Sequence, residues 1–162
     1  MVGAMVVLVA VVIAFVVFRD INRNDPASPV RAVDYTQTVD YGREQASFDL
    51  LAPASLPEGW IATTVEYVPG AEDRFHLGML TDVERYVGLE QSDDSVESML
   101  ETHVDPETTA GEPVQVDGER WDTWTDDGGD LALVRRVDDV TTLVVGHEVP
   151  RADLVDFAAS LR

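Results

Sequence analysis

The sequence predicts an α+β protein: an N-terminal transmembrane helix, then a mostly antiparallel sheet packed with two or three helices. Three observations predict it. The stretch Met1–Phe18, MVGAMVVLVAVVIAFVVF, carries no charge. At about 1.5 Å per helical residue it reaches roughly 27 Å, close to the thickness of a bilayer hydrocarbon core. Beyond residue 48 the chain breaks into short β-rich runs separated by Gly, Pro and Asp turn signals. Two segments, one around Val96–His103 and one after Pro150, instead carry apolar residues at helical spacing. The organisation expected is a transmembrane helix over 1–19, a linker over 20–33 and an extracytoplasmic α+β domain over 34–162.

The linker is rich in Asn, Asp and Ser, with two prolines and no periodicity. Asp34 can cap a short helix running to about Ala46, marked by Tyr35, Val39 and Ala46 and interrupted by Gly42. Phe48–Pro53 reads as a short strand stopped by proline, and Leu56-Pro57-Glu58-Gly59-Trp60 as a turn into a strand over Trp60–Val68. Phe75–Leu80 and Tyr86–Gln91 read as a hairpin. Phe75, Leu77 and Met79 share one face, Val87 and Leu89 supply the partner's, and Gly78 and Gly88 suggest close packing or a bulge.

Ser92-Asp93-Asp94 starts a helix, with Glu97 placed as in a capping box and Val96, Met99, Leu100 and His103 as its inner stripe. A meander follows. Pro113–Val116 and Glu119–Thr125 are joined by Asp117-Gly118, a strong hairpin signal. Leu131–Val137 and Val140–Gly146 contain runs apolar on both faces, as central covered strands would be. Pro150 fits the first position of a last helix whose buried stripe is Leu154, Phe157, Ala158 and Leu161.

Charge excludes one class of partner. Of 162 residues, 31 are acidic and 11 are Arg, with no Lys, for a net charge of −20. Arg19 and Arg23 offset Asp20 and Asp25, so the soluble part carries the whole excess. Such a surface repels nucleic-acid backbones. There is no Cys, which removes disulfides, thiolate metal sites and cysteine nucleophiles. The apolar run is longer than a signal-peptide core and no A-x-A site follows it, so a retained anchor is expected. Arg19 and Arg23 on the trailing flank would, by the positive-inside rule alone, place the domain inside.

Several motifs in fixed order resemble a known family. They are Pro29-Val30-Arg31-Ala32-Val33-Asp34-Tyr35 after the span, Ala52-Pro53 with Leu56-Pro57-Glu58-Gly59-Trp60, then His76-Leu77-Gly78 and Leu89-Glu90-Gln91-Ser92-Asp93. Leu133-Val134-Arg135-Arg136 and the tail Phe157-Ala158-Ala159-Ser160-Leu161-Arg162 complete the set. Over nearly its whole length the chain resembles the actinobacterial family called domain of unknown function 4245. The resemblance implies a single N-terminal span and an exported domain, hence a C-terminal domain outside. It implies no activity and no catalytic residues. The family's basic segment ahead of the span has no counterpart here, which fits a native start upstream of Met1.

Candidate chemistry is sparse. No nucleophile elbow, phosphate loop, zinc-protease helix or dinucleotide fingerprint occurs. No two of His76, His103 and His147 have metal-ligand spacing. His103 reads as a core-edge residue. His76 and His147 lie on strands and could meet, with Glu90 as a third group able to act as acid or base. Asp126-Asp127-Gly128-Gly129-Asp130 suggests a hard cation but lacks the spacing of an EF-hand, and a solvated hairpin tip explains it. Trp121 and Trp124, three apart on a strand, face opposite sides, one in the core and one partly exposed. The sequence thus points to a single-pass cell-membrane protein of the envelope with a non-catalytic module for another envelope protein or a small ligand. No catalytic, cofactor or metal residues are assigned, and no nucleic acid is expected as a partner. The alternative is an extracytoplasmic enzyme or cation-binding protein using Glu90, His76 and His147 or the Asp126–Asp130 turn.

Overall fold

In a computed structural model, residues 30–71 and 73–162 are described. Ala32–Arg162 is one of two compact units into which the chain divides, Met1–Arg31 being the other. Among the described residues no helix is long and apolar enough to cross a membrane; the expected span over Met1–Phe18 lies outside them.

The unit is built on an antiparallel sheet. Its elements are α1 (Thr36–Gln45), β1 (Ile61–Val68), β2 (Arg74–Leu80), β3 (Tyr86–Ser92), α2 (Val96–His103), β4 (Thr109–Ala110), β5 (Val114–Val116), β6 (Glu119–Thr125), β7 (Asp130–Val137), β8 (Val140–His147) and α3 (Arg151–Ala159). The eight strands follow the order β1-β2-β3-β8-β7-β6-β4, with β5 also pairing β6. Among the described residues, eight strands and three helices make the expected α+β architecture.

Turn chemistry sets the meander. Asp117 and Gly118 both take positive φ, 50° and 83°, and Asp138 and Asp139 do the same at 48° and 68°. Two consecutive left-handed residues match the twist of the strands that they join. Gly, Asp and Asn bear that conformation at least cost.

The sheet has two unlike faces. On one, Leu77, Met79, Val87, Leu89, Leu133, Val144 and Trp121 are buried with α1 and α3 against them, through Val39 and through Leu154, Phe157 and Ala158. Trp60 stacks on Phe157 with ring centroids 5.6 Å apart. On the other, α2 lowers Met99 and Leu100 onto Ala132, Val134, Leu143 and Val145. Strands β7 and β8 are therefore covered on both sides, as their continuous apolar runs require. Trp121 lies in the first core and Trp124 at the edge of the second, on opposite faces as their spacing predicts.

Several local expectations need correction. Phe48–Pro53 is not a strand in the sheet. It makes one isolated bridge, Pro53 to Leu161, with paired hydrogen bonds between Ala52 and Arg162. Leu50 and Ala52 are buried and Phe48 and Leu51 half-buried, packed as a strap over the α1–α3 face. The α2 N-cap is Ser95, whose hydroxyl accepts from the Ser98 amide, and not Ser92–Asp94. Pro150 is the residue before α3 and not its first. At α1 the N-cap is Tyr35 and not Asp34; the Asp34 carboxylate, one residue earlier, accepts from the Thr36 amide at 2.9 Å. Gly42 belongs inside that helix: a Cβ there would stand 2.4 Å from Leu50 Cδ1, so the glycine lets helix and strap touch. A bulge does occur, but in β1, between Ala62 and Thr64.

Candidate functional site

Strand parity decides which side chains can meet. In β2, Phe75, Leu77 and Met79 face α1 and α3, so Arg74, His76 and Gly78 face the other way. In β3, Val87 and Leu89 fix the phase that sends Tyr86, Gly88 and Glu90 to the same side. Register then places His76 opposite Glu90 and Gly78 opposite Gly88, with Glu66 of β1 opposite His76. Helix α2 covers the β7–β8 half of this face. Its last turn carries His103 to the β3 border.

There His76, Glu90 and His103 converge. His76 Nδ1 stands 2.5 Å from Glu90 Oε1 and His103 Nδ1 3.8 Å from the same oxygen. The far nitrogen of His76, Nε2, lies 2.9 Å from Thr64 Oγ1. Glu90 is only 5% exposed. The hydrogen bond to Glu90 raises the His76 pKa above its ordinary value, against a burial effect in the other direction, and the charges of Glu90 and Glu66 add to the rise. His76 therefore holds a proton more readily than a free imidazole.

The paired glycines form the floor beside this cluster. A Cβ on Gly88 would lie 2.9 Å from the Tyr86 hydroxyl, and one on Gly78 would lie 2.4 Å from Thr64 Oγ1. Side chains at either position would push Tyr86 or Thr64 away. Burial pushes the Tyr86 phenol up to about 12, helped by the Glu90 charge. His76, Tyr86, Glu90 and His103 line a cleft of about 520 Å³ between α2 and the open half of the sheet, with Glu66, Arg74, Asp94 and Thr102.

The other expected groups lie elsewhere. His147 ends β8, where its Nδ1 pairs with Asp130 at 2.8 Å. Glu90 lies opposite Leu143 of β8, and His147 is four residues farther on, roughly 13 Å along the strand. A joint His76–His147–Glu90 site is not assembled; His103 takes the place expected of His147. In the Asp126–Asp130 turn, Asp126 Oδ1 accepts from the Asp130 amide at 2.7 Å and Asp130 binds His147. Both carboxylates are thus engaged within the hairpin tip. Among the described residues no group of three or more His, Asp or Glu is arranged to hold a metal ion.

A second depression, of about 480 Å³, includes Arg43, Phe48, Gln91 and Arg135. Its cations are committed: Arg43 donates to the Arg162 carbonyl at 2.6 Å and Arg135 pairs with Glu119. The cleft at Glu90 is the better candidate because it joins a buried carboxylate to exposed partners. Sequence reasoning missed His103, Thr64, Glu66 and Tyr86 as members. Three of the four sit in the strand phase opposite the apolar one, a usable signal. The fourth depends on where a helix docks.

The family model described as "Protein of unknown function (DUF4245)" matches residues 1–161. No curated protein matches the chain.

Proposed function

Since this chain belongs to the DUF4245 family, whose description assigns no activity, we propose from its own residues that it is a non-catalytic binding module of the cell envelope. On this reading Met1–Phe18 anchors it to the membrane as a single span, and the α+β domain stands outside. Another envelope protein or a small ligand enters the cleft at Glu90. The observation that carries the reading is that cleft: a nearly buried carboxylate flanked by two imidazoles and a phenol, on the half of a sheet face that α2 leaves open. Binding sites are concave and hold a few convergent polar groups. The acidic excess favours a basic or neutral partner over nucleic acid.

Two experiments test this. A reporter active only outside the cytoplasm, fused after Arg162, is expected to be active; an inactive fusion defeats the placement. A photo-crosslinking residue at Thr102, on the cleft rim, is expected to label a discrete partner in native membranes. One at Tyr41, exposed on α1, is not. Equal labelling from both, or none from Thr102, overturns the cleft as the recognition site.

One observation favours a second reading. Thr64 Oγ1, His76 and Glu90 stand in the order nucleophile, base and orienting carboxylate, the arrangement of covalent hydrolases. As an enzyme the protein would cleave model esters, and Thr64→Ala would abolish the cleavage while leaving Thr102 labelling intact. Wild-type protein inert towards such esters removes this reading.

A further inference from the structure

We infer that the cleft at Glu90 binds a neutral saccharide, with Tyr86 under one face of a sugar ring and Glu90, Arg74 and Asp94 taking its hydroxyls; the inference rests on that cleft being the binding site. Tyr86 supplies the platform. Gly78 and Gly88 stand opposite each other in β2 and β3, and their missing side chains leave a flat patch of backbone. The Tyr86 ring lies across both. A Cβ on Gly88 would meet its Cε1 and Cζ at 3.3 Å, and one on Gly78 would meet its Cε2 at 3.5 Å. Backbone thus supports one side of the ring, while the residue remains 41% exposed where it lines the cleft. A ring held in this way loses little freedom when something stacks on it. The face of an aromatic ring is electron-rich. The C–H bonds on one side of a sugar ring, made slightly positive by neighbouring oxygens, complement it.

The polar lining suits hydroxyl groups better than an ion of either sign. Three carboxylates, Glu66, Glu90 and Asp94, share it with Arg74 and the imidazoles of His76 and His103. With both imidazoles protonated these charges cancel, in a chain whose net charge is −20. A cation would be repelled by Arg74 and an anion by the carboxylates. A hydroxyl both donates and accepts, so it can use either kind of group. Both imidazoles approach Oε1 of Glu90, at 2.5 and 3.8 Å, which leaves Oε2 to accept from a sugar hydroxyl. Hydrogen bonds to charged partners are the strong ones. Oδ2 of Asp94 already accepts from the Ser92 hydroxyl, so this carboxylate is positioned before a ligand arrives. Register sets Arg74 on one side of the His76–Glu90 pair and the glycine patch under Tyr86 on the other, so one ligand can span platform and guanidinium. The cleft, at about 520 Å³, has the size of small-molecule sites generally and admits a short oligosaccharide.

The test uses the full-length chain in a detergent without a sugar headgroup. The probes are neutral trisaccharides of glucose, mannose, galactose and N-acetylglucosamine, immobilised on a surface. At least one is expected to retain the protein, and calorimetry with that sugar is expected to give one site per chain. Tyr86→Phe is expected to bind as wild type, because the ring and not the phenol makes the contact. Tyr86→Ala is expected to weaken binding about 10- to 100-fold. Arg74→Ala, at an exposed position of β2, is expected to weaken it about 10-fold and keeps the test open should Tyr86→Ala fail to fold. Val137→Ala, in the other depression, is expected to bind as wild type. Thermal melting checks that each variant is folded. Retention by none of these sugars, unchanged affinity in Arg74→Ala, or loss in Val137→Ala overturns the inference, as does binding of free amino acids in place of sugars. Labelling from Thr102 without sugar binding removes the saccharide and leaves the binding module. Absence of both removes the cleft itself as the recognition site.

Discussion

Replacing Gln91 by Leu is expected to destabilise the domain by about 2–3 kcal/mol. Gln91 is 2% exposed on the α1–α3 face of β3. Its Oε1 accepts from the Leu51 amide at 2.7 Å, and its Nε2 donates to Thr142 Oγ1 at 3.1 Å. A third, longer bond of 3.4 Å runs from Nε2 to the Asp49 carbonyl. Each good hydrogen bond contributes a net of about 0.5–1.5 kcal/mol, and a partner stranded out of water costs about 1–3. Leucine recovers part of this because its methyl groups suit a buried site. Thr142→Val alone should cost about 1 kcal/mol. The double variant should lose about 1 kcal/mol less than the two singles together, because their mutual bond is removed only once. Urea unfolding followed by tryptophan fluorescence reads these differences, as a midpoint lower by about 1–2 M for Gln91→Leu at unchanged slope. Amide exchange at Leu51 should quicken in the same variant. A Gln91→Leu protein within about 0.5 kcal/mol of wild type, its Leu51 amide still protected, would refute the view that this side chain holds the strap to the sheet.

Other outcomes follow from the same contacts. Phe157→Ala should cost about 3–5 kcal/mol in urea unfolding, because Phe157 is fully buried against Trp60; Trp60 emission should shift to the red. Asp73 accepts from the Ser47 and Gly70 amides, which hold its carboxyl below the ordinary 3.8. Its stabilising effect is therefore full above that value and lost as pH falls through the lower folded one. The stability gap between wild type and Asp73→Asn should close in that window, as acid titrations of unfolding can show. Tyr86 is displaced the other way, to about 12. Its contribution is complete below pH 10 and lost on rising towards 12, so alkaline melting curves should fall less steeply for Tyr86→Phe than for wild type.

Much of this architecture could be read along the chain because local chemistry specified it. Alternation placed Phe75, Leu77 and Met79 together and gave the β2–β3 hairpin; Asp117-Gly118 closed the next. The stripe of Met99 and Leu100 gave α2. What could not be read depends on long-range docking. Nothing near Glu90 announces that β3 will lie beside β8. Nor does the spacing of His103 reveal that the end of α2 will stop over Glu90 and not at His147. Phe48–Pro53 has the composition of a strand, but its Leu51 and Ala52 amides donate to Gln91 and to Arg162, partners 40 or more residues distant. Gly42 looked like an interruption of a helix because the residue that needs its missing side chain, Leu50, lies in another segment.

The pairing of β3 with β8 joins two systems, β1-β2-β3 and β8-β7-β6, within each of which paired strands are neighbours in sequence. During synthesis the first three strands can assemble early, yet Val87 and Leu89 keep an open border until the next-to-last element emerges from the ribosome. Completion of the sheet thus waits for β8. Until then the half-built sheet yields to unfolding far more easily than the closed one.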